Sequence, residues 1–174
     1  MNSRTILKAT FFILIIIGMI GCQDKKEGGP EKIQNLETNK ITVFNFDNEQ
    51  ELAAYNKLNL DKNHPNLLNP QISKREYNKV LNSCTNLHQR IGKYLSKNKF
   101  DWGVKENSIT LVQKIYFNSE GKIENYFFKV LDANVTEGKK EQFANLVLNF
   151  AEKNKIQFES NGKFAQCGKT KYLN

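Results

Sequence analysis

Apolar and polar positions divide the chain into three regions. Residues 9–22 form one apolar run, ATFFILIIIGMIGC, and residues 23–40 are mostly charged or polar with a Gly28-Gly29-Pro30 break. From residue 41 onwards, apolar positions recur with the spacings of strands and helices. The pattern therefore predicts one folded domain over residues 41–174, preceded by a flexible tether over residues 22–40.

The periodicity within residues 41–174 predicts an α+β fold. Alternating and β-branched runs predict strands, whereas apolar positions three and four residues apart predict helices. The predicted elements are a strand at Ile41–Phe46, a helix at Glu49–Leu58, a loop over 59–72, a helix from Ser73 to Lys97, a hairpin of Ser108–Phe117 and Ile123–Leu131 around Gly121, a helix from Asp132 or Thr136 to Lys153, and two short strand-like runs within Lys155–Cys167. We expect a small antiparallel sheet packed against two helices, in the order α-β-β-α-β from about residue 73.

Local signals add detail around the longest predicted helix. Ser73 and Glu76 have the S-x-x-E spacing of a capping box, and Ile72 before the cap is placed to contact Tyr77 one turn later. Trp102, the only tryptophan, follows the end of this helix. We expect its large apolar ring to close the core.

The apolar run near the N-terminus has the features of a secretory signal. At about 1.5 Å per residue it reaches roughly 21 Å as a helix, short of the ~30 Å hydrocarbon core of a membrane. Arg4 and Lys8 precede it, and small and polar residues follow it. We therefore expect residues 1–21 to be a signal peptide; an uncleaved anchor helix is the alternative.

The sequence Met19-Ile20-Gly21-Cys22 resembles the lipobox of bacterial lipoproteins. This resemblance implies that Cys22 is acylated and becomes the first residue of the mature chain. Gln23 follows Cys22, at the position where an aspartate would signal retention in the inner membrane of enteric-type bacteria. The resemblance therefore implies an outer-membrane anchor, and it does not distinguish the periplasmic face from the cell surface. An ordinary signal peptide with a chance cysteine is the alternative.

The predicted order of elements over about residues 73–167 resembles the C-terminal domain of TonB-type energy transducers. The hairpin carries the resemblance, through Ile115, Phe117, Gly121 and Ile123. The chain lacks that family's Tyr-Pro, Ser-Gly and proline-rich features, and a lipid-anchored chain has no helix to connect it to an inner-membrane motor. The resemblance therefore implies a fold and not energy transduction.

Net charge narrows the choice of partner. The formal charge is +8, and it falls to +6 once the signal is removed because Arg4 and Lys8 leave with no acidic residue. The lysines are spread along the whole mature chain rather than clustered, and an exported protein does not meet nucleic acid as its usual target. We expect a partner in the membrane or envelope and no nucleic acid.

Two cysteines remain if Cys22 carries lipid. Cys84 falls on the apolar face of the predicted long helix, and Cys167 ends the last strand-like run. In an oxidising compartment, such a pair predicts a disulfide between Cys84 and Cys167. The alternative is a metal site formed by these cysteines with His88, four residues after Cys84. The other histidine, His64, is expected to be exposed in a loop.

No catalytic motif is present in the sequence, so we expect neither an enzyme nor a cofactor or metal. The leading hypothesis is a non-enzymatic envelope lipoprotein that binds a protein partner or an envelope component. The predicted contact surfaces are a sheet edge at Ile109–Phe117 and an outward aromatic cluster of Tyr116, Tyr126 and Phe128; a second helix layer over these rings is the alternative.

Two other functions remain open. An inhibitor or immunity-type lipoprotein would block a toxin or a lytic enzyme, and it would bind that enzyme tightly. A cryptic envelope hydrolase would need two carboxylates that converge in a pocket, and these carboxylates would be distant along the chain.

Overall fold

The computed structural model describes residues 40–174. The predicted signal peptide, the acylated Cys22 and the tether up to residue 39 lie outside the described residues. The elements are β1 (Thr42–Asn45), α1 (Glu49–Leu58), α2 (Pro70–Ser73), α3 (Tyr77–Lys97), β2 (Ser108–Phe117), β3 (Ile123–Val130), α4 (Glu137–Lys153) and β4 (Phe164–Leu173). The α+β class is confirmed.

The four strands form one sheet in the order β1-β3-β2-β4. β2 pairs antiparallel with both β3 and β4, while β1 pairs parallel with β3 after a long crossover through the helices. The edges are β1 and β4. The predicted edge at Ile109–Phe117 is therefore wrong, because this segment belongs to an inner strand that is paired on both sides.

One face of the sheet is covered by α3 and α4. Phe143 of α4 lies at the centre of this layer, with its ring centroid 5.0 Å from those of Trp102 and Phe128. Trp102 is 1% exposed, which confirms that it closes the core. On β2, alternate residues point into the same layer; they are Ile109, Leu111, Gln113, Ile115 and Phe117.

The opposite face is covered over part of its area by α1 and the loop after it. Tyr55 of α1 stacks on Phe127 of β3 at 4.1 Å between ring centroids and also meets the ring of Tyr116 at 6.1 Å. Helical structure thus lies on both sides of the sheet. The C-terminal half of β2 is buried on both faces as a result.

The predicted start of α1 is confirmed, whereas the predicted capping box at the start of the long helix is wrong. α1 begins where predicted, because the side chain of Asn48 accepts hydrogen bonds from the backbone N–H groups of Gln50 and Glu51. The capping box at Ser73 does not form. Asn69 caps α2 instead, with Pro70 in the first turn, and the Ser73 hydroxyl donates to the Asn69 carbonyl.

The C-terminal region also differs from the prediction. Instead of two short runs ending at Cys167, it forms the single long strand β4, which continues to Leu173. Lys155 makes only an isolated bridge to Lys122. The lysines at 169 and 171 lower the apparent hydrophobicity of this segment, which is why the pattern did not predict its second half.

We expect Phe143→Ala to lower the free energy of unfolding by about 3–5 kcal/mol, because it empties the centre of the helix layer. Urea unfolding followed by circular dichroism measures this loss. The exposed Asn145→Ala on the same helix is the matched control and should change stability by less than about 0.5 kcal/mol. Similar losses for both variants would contradict this description of the core.

Candidate functional site

An open groove separates α3 from the edge strand β4. Its volume is about 770 Å³, within the range of pockets that bind ligands. The floor is largely apolar and includes Leu81, Cys84 and Leu95 of α3, Leu68 of the preceding loop and the ring of Tyr172. We call this feature the α3–β4 groove.

A hydrogen-bonded network lies beneath the groove. The Tyr126 hydroxyl donates to the side-chain carbonyl of Gln113, whose amide nitrogen lies 3.3 Å from Nδ1 of His88. The Tyr172 hydroxyl lies 3.1 Å from the same nitrogen. Because an amide nitrogen can only donate, Nδ1 accepts, and the imidazole proton lies on Nε2.

This network is neutral at ordinary pH. Burial lowers the pKa of His88 to about 4, because the charged imidazolium loses its hydration. Burial likewise raises the pKa of Tyr126 and of Tyr172 above the usual tyrosine range. The network therefore supplies fixed dipoles to the groove and no charge.

Gln166 of β4 places an unpaired amide at the groove. The residue is 2% exposed, and neither atom of its amide has a hydrogen-bond partner within residues 40–174. A buried amide without a partner costs about 1–3 kcal/mol. A bound group that both donates and accepts a hydrogen bond would remove this cost, so Gln166 is a polar anchor point.

Among residues 40–174, the outer edge of β4 has a main-chain partner at one end only. Ala165 donates to the Pro65 carbonyl and accepts from the Leu67 N–H, both at 2.9 Å. By the two-residue repeat of an antiparallel strand, Cys167, Lys169 and Lys171 also turn their N–H and C=O groups outward. The Cys167 N–H reaches the Asn66 side chain at 3.3 Å. Beyond it, the outward main-chain groups of Lys169 and Lys171 have no backbone partner in the described part of the chain.

Three lysines flank the groove and the edge strand beside it. Lys93 of α3 lines one side. Lys169 and Lys171 of β4 border the other side through their main chain, because strand alternation turns their side chains to the opposite face of the sheet. No aspartate or glutamate is among the described residues that line it. The groove therefore combines an apolar floor with a polar anchor, and the lysine side chains of β4 lie on the other face of the same edge strand.

The predicted disulfide is absent, because both Cys84 and Cys167 are free thiols. Gln166 and Gly168 line the groove with Cys84, so the alternation of β4 turns Cys167 to the other face of the sheet. The same separation excludes the alternative metal site with His88. Within residues 40–174, no group of three or more potential ligands could hold a metal ion.

Cys84 is also a poor nucleophile. Burial raises the pKa of its thiol to about 11, so the reactive thiolate is scarce at neutral pH. With His88 neutral and hydrogen-bonded through Nδ1, the groove does not present an activated pair for nucleophilic catalysis.

The aromatic residues predicted to bind a partner are all buried. Tyr116, Tyr126 and Phe128 are each 0% exposed. Tyr126 and Phe128 lie under α3 and α4, and Tyr116 lies on the other face beside Tyr55. The prediction of an outward cluster is wrong, because helical structure covers both faces at these positions.

On the opposite face of the sheet, ionic contacts hold the loop after α1. Asp61 accepts a hydrogen bond from the Tyr116 hydroxyl at 2.8 Å and pairs with Lys114 at 2.6 Å. Burial alone would raise the pKa of Asp61, but these two contacts outweigh it, so the pKa lies below its usual value. These contacts fix the loop that reaches the β4 edge.

His64 in the same loop is buried and not exposed as predicted. Its Nδ1 lies 2.8 Å from the Leu60 carbonyl, and its Nε2 lies 3.3 Å from a carboxylate oxygen of Glu124. Its neighbour Pro65 is one of the residues that pair with Ala165. His64 thus helps to hold this segment against β4.

No protein-family model, curated protein or solved structure matches this chain. The resemblances to lipoproteins and to TonB-type domains therefore stay predictions. No helix within residues 40–174 is long and apolar enough to cross a membrane.

The low pKa of His88 predicts a loss of stability in acid. The folded state resists protonation until about pH 4, whereas the unfolded chain protonates near pH 6.5, so stability is present above pH 6.5 and falls as the pH drops to 4. At about 1.4 kcal/mol per unit, this loss is at most about 3.5 kcal/mol. Urea unfolding at pH 7, 5.5 and 4.5 should show a smaller pH dependence for His88→Gln than for the wild type. Equal slopes would contradict the assignment.

Proposed function

We propose that the protein is a lipid-anchored lipoprotein of the bacterial outer membrane whose domain binds a protein partner in the α3–β4 groove, without catalysis. The lipobox-like sequence before Cys22 supports the anchor. The observation that carries the binding function is the open edge of β4, which runs beside the groove and the unpaired amide of Gln166.

The edge favours a protein segment over a small molecule. Outward N–H and C=O groups that repeat every second residue match the backbone of another extended chain. A partner strand beside Cys167–Leu173 would project alternate side chains into the groove, where an amide or hydroxyl group reaches Gln166. Main-chain bonds then supply affinity and the groove supplies selectivity.

The chemistry of the groove supports binding rather than reaction. The hydrolase alternative requires two convergent carboxylates, and the described lining residues include none. Two acids on the opposite face, Asp61 and Glu124, are already engaged by Lys114 and Lys163. The groove therefore favours recognition, and an inhibitor of an enzyme is one form that such recognition takes.

The anchor is tested by the intact mass of the protein extracted from membranes. We expect a chain that starts at an acylated Cys22 and has two free thiols, of which Cys167 reacts with an alkylating reagent faster than the buried Cys84. An unmodified N-terminus would contradict the anchor. A mass that falls short by two hydrogens until reductant is added would restore the disulfide.

The binding edge is tested by Lys169→Pro. This change removes an outward N–H that β2 does not use, and Gly168 before it accepts the restricted backbone that proline imposes. We expect about tenfold less partner captured from an envelope extract, because one main-chain bond is lost and the ring blocks close approach.

Lys169→Ala is the matched control, because it removes the same side-chain charge and keeps the N–H, so the additional loss in Lys169→Pro reports the main-chain bond. Melting temperatures of both variants show whether the fold is intact. If Lys169→Pro captures as much partner as the wild type, the β4 edge is not the binding site. A captured toxin or lytic enzyme would identify the inhibitor form.

A further inference from the structure

We infer that the segment bound at the β4 edge is an extended strand of another protein in which acidic and apolar side chains alternate. This inference rests on the proposed function, because it names the chemistry of the partner at the same edge. Three observations support it: β4 has a cationic face, it borders an apolar groove on its other face, and the segment around Asn66 already pairs with its outer edge.

The first surface is cationic. Lys169 and Lys171 project from the face of β4 opposite the groove, and Val112 pairs with Lys129 on one side and with Lys169 on the other. None of Lys129, Lys169 and Lys171 forms an ion pair within residues 40–174. A neighbouring strand would place its side chains about 5 Å from Lys169 and Lys171, where acidic residues are stabilised.

The second surface is the groove. Side chains of a bound strand alternate between the two faces of the sheet, so every second residue would enter the α3–β4 groove. Its floor of Leu81, Leu95 and the Tyr172 ring removes apolar side chains from water. One strand therefore meets lysines on one face and an apolar floor on the other.

The same lysines argue against a second copy of this chain as the occupant. Pairing two β4 edges antiparallel would bring Lys169 and Lys171 of both copies to one face of the joint. Like charges on directly opposed residues destabilise such pairs. Lysines on an edge strand are a known protection against self-association, and here they also favour an acidic partner.

The chain itself provides a precedent for pairing at this edge. Asn66 bridges to Ala165 in the parallel sense, and the residues on either side of it form the two main-chain bonds with Ala165. Asn69 and Pro70 then begin α2 and turn the chain away. Cys167–Leu173 remains beyond this contact, a length that suits a bound strand of about seven residues.

The inference is tested with end-capped, fluorescently labelled peptides of about seven residues, enough to cover Cys167–Leu173. One alternates Glu and Val, a second alternates Lys and Val, and a third has the composition of the first with the two residue types in separate blocks. Anisotropy measures their binding to the detergent-solubilised full chain. We expect the alternating Glu peptide to bind at least about tenfold more tightly than the other two, with an affinity that falls as salt rises.

Matched variants separate charge from fold. Lys169→Gln with Lys171→Gln should weaken binding of the alternating Glu peptide about three- to tenfold, as expected from two exposed ion pairs across neighbouring strands. Lys57→Gln with Lys153→Gln removes the same charge from α1 and α4 and should leave the affinity within about twofold.

The inference is overturned if the Glu and Lys peptides bind equally or if both double variants weaken binding to the same extent. It is also overturned if sedimentation shows a dimer that Lys169→Pro dissociates, because the occupant is then a second copy. In each case, loss of the natural partner in Lys169→Pro would still support the proposed binding edge. The proposed function fails separately if that partner is retained.

Discussion

The rest of the structure depends on the double pairing of β2. This strand lies between β3 and β4, and its last residues, Ile115, Tyr116 and Phe117, are buried on both faces. This pairing joins β4, which lies at the C-terminal end of the chain, to the hairpin of β2 and β3. The position of β2 defines where the outer edge of β4 lies and which residues reach the α3–β4 groove.

Features encoded by nearby residues were predictable from the sequence, whereas the order of strands was not. The bounds of α1 follow from its Asn48 cap, the hairpin follows from alternation around Gly121, and Trp102 in the core follows from its size. The sequence of β2 does not reveal that β4 covers its second side. This missing long-range pairing explains why the predicted edge was wrong.

The candidate site was missed for a related reason. The disulfide prediction used the burial of Cys84 and the compartment, but the face of Cys167 depends on the register of β4 against β2. Lys169 and Lys171 lower the hydrophobicity of the β4 segment, so the sequence pattern did not predict this part of the strand. The same two lysines form the charged face of the edge. Alternation of Gly168, Thr170 and Tyr172 with Lys169 and Lys171 was the available signal.

The short contact between Asn66 and Ala165 also has a consequence for selectivity. It closes one end of the exposed edge, so an incoming strand has a fixed terminus and cannot advance past that residue. A displacement by a single residue would exchange the two faces of the strand and put carboxylates over the apolar floor. Backbone pairing alone does not depend on side-chain identity. The closed end of the edge limits the length of the strand that can bind, and the two dissimilar faces select which of its residues are acidic and which are apolar.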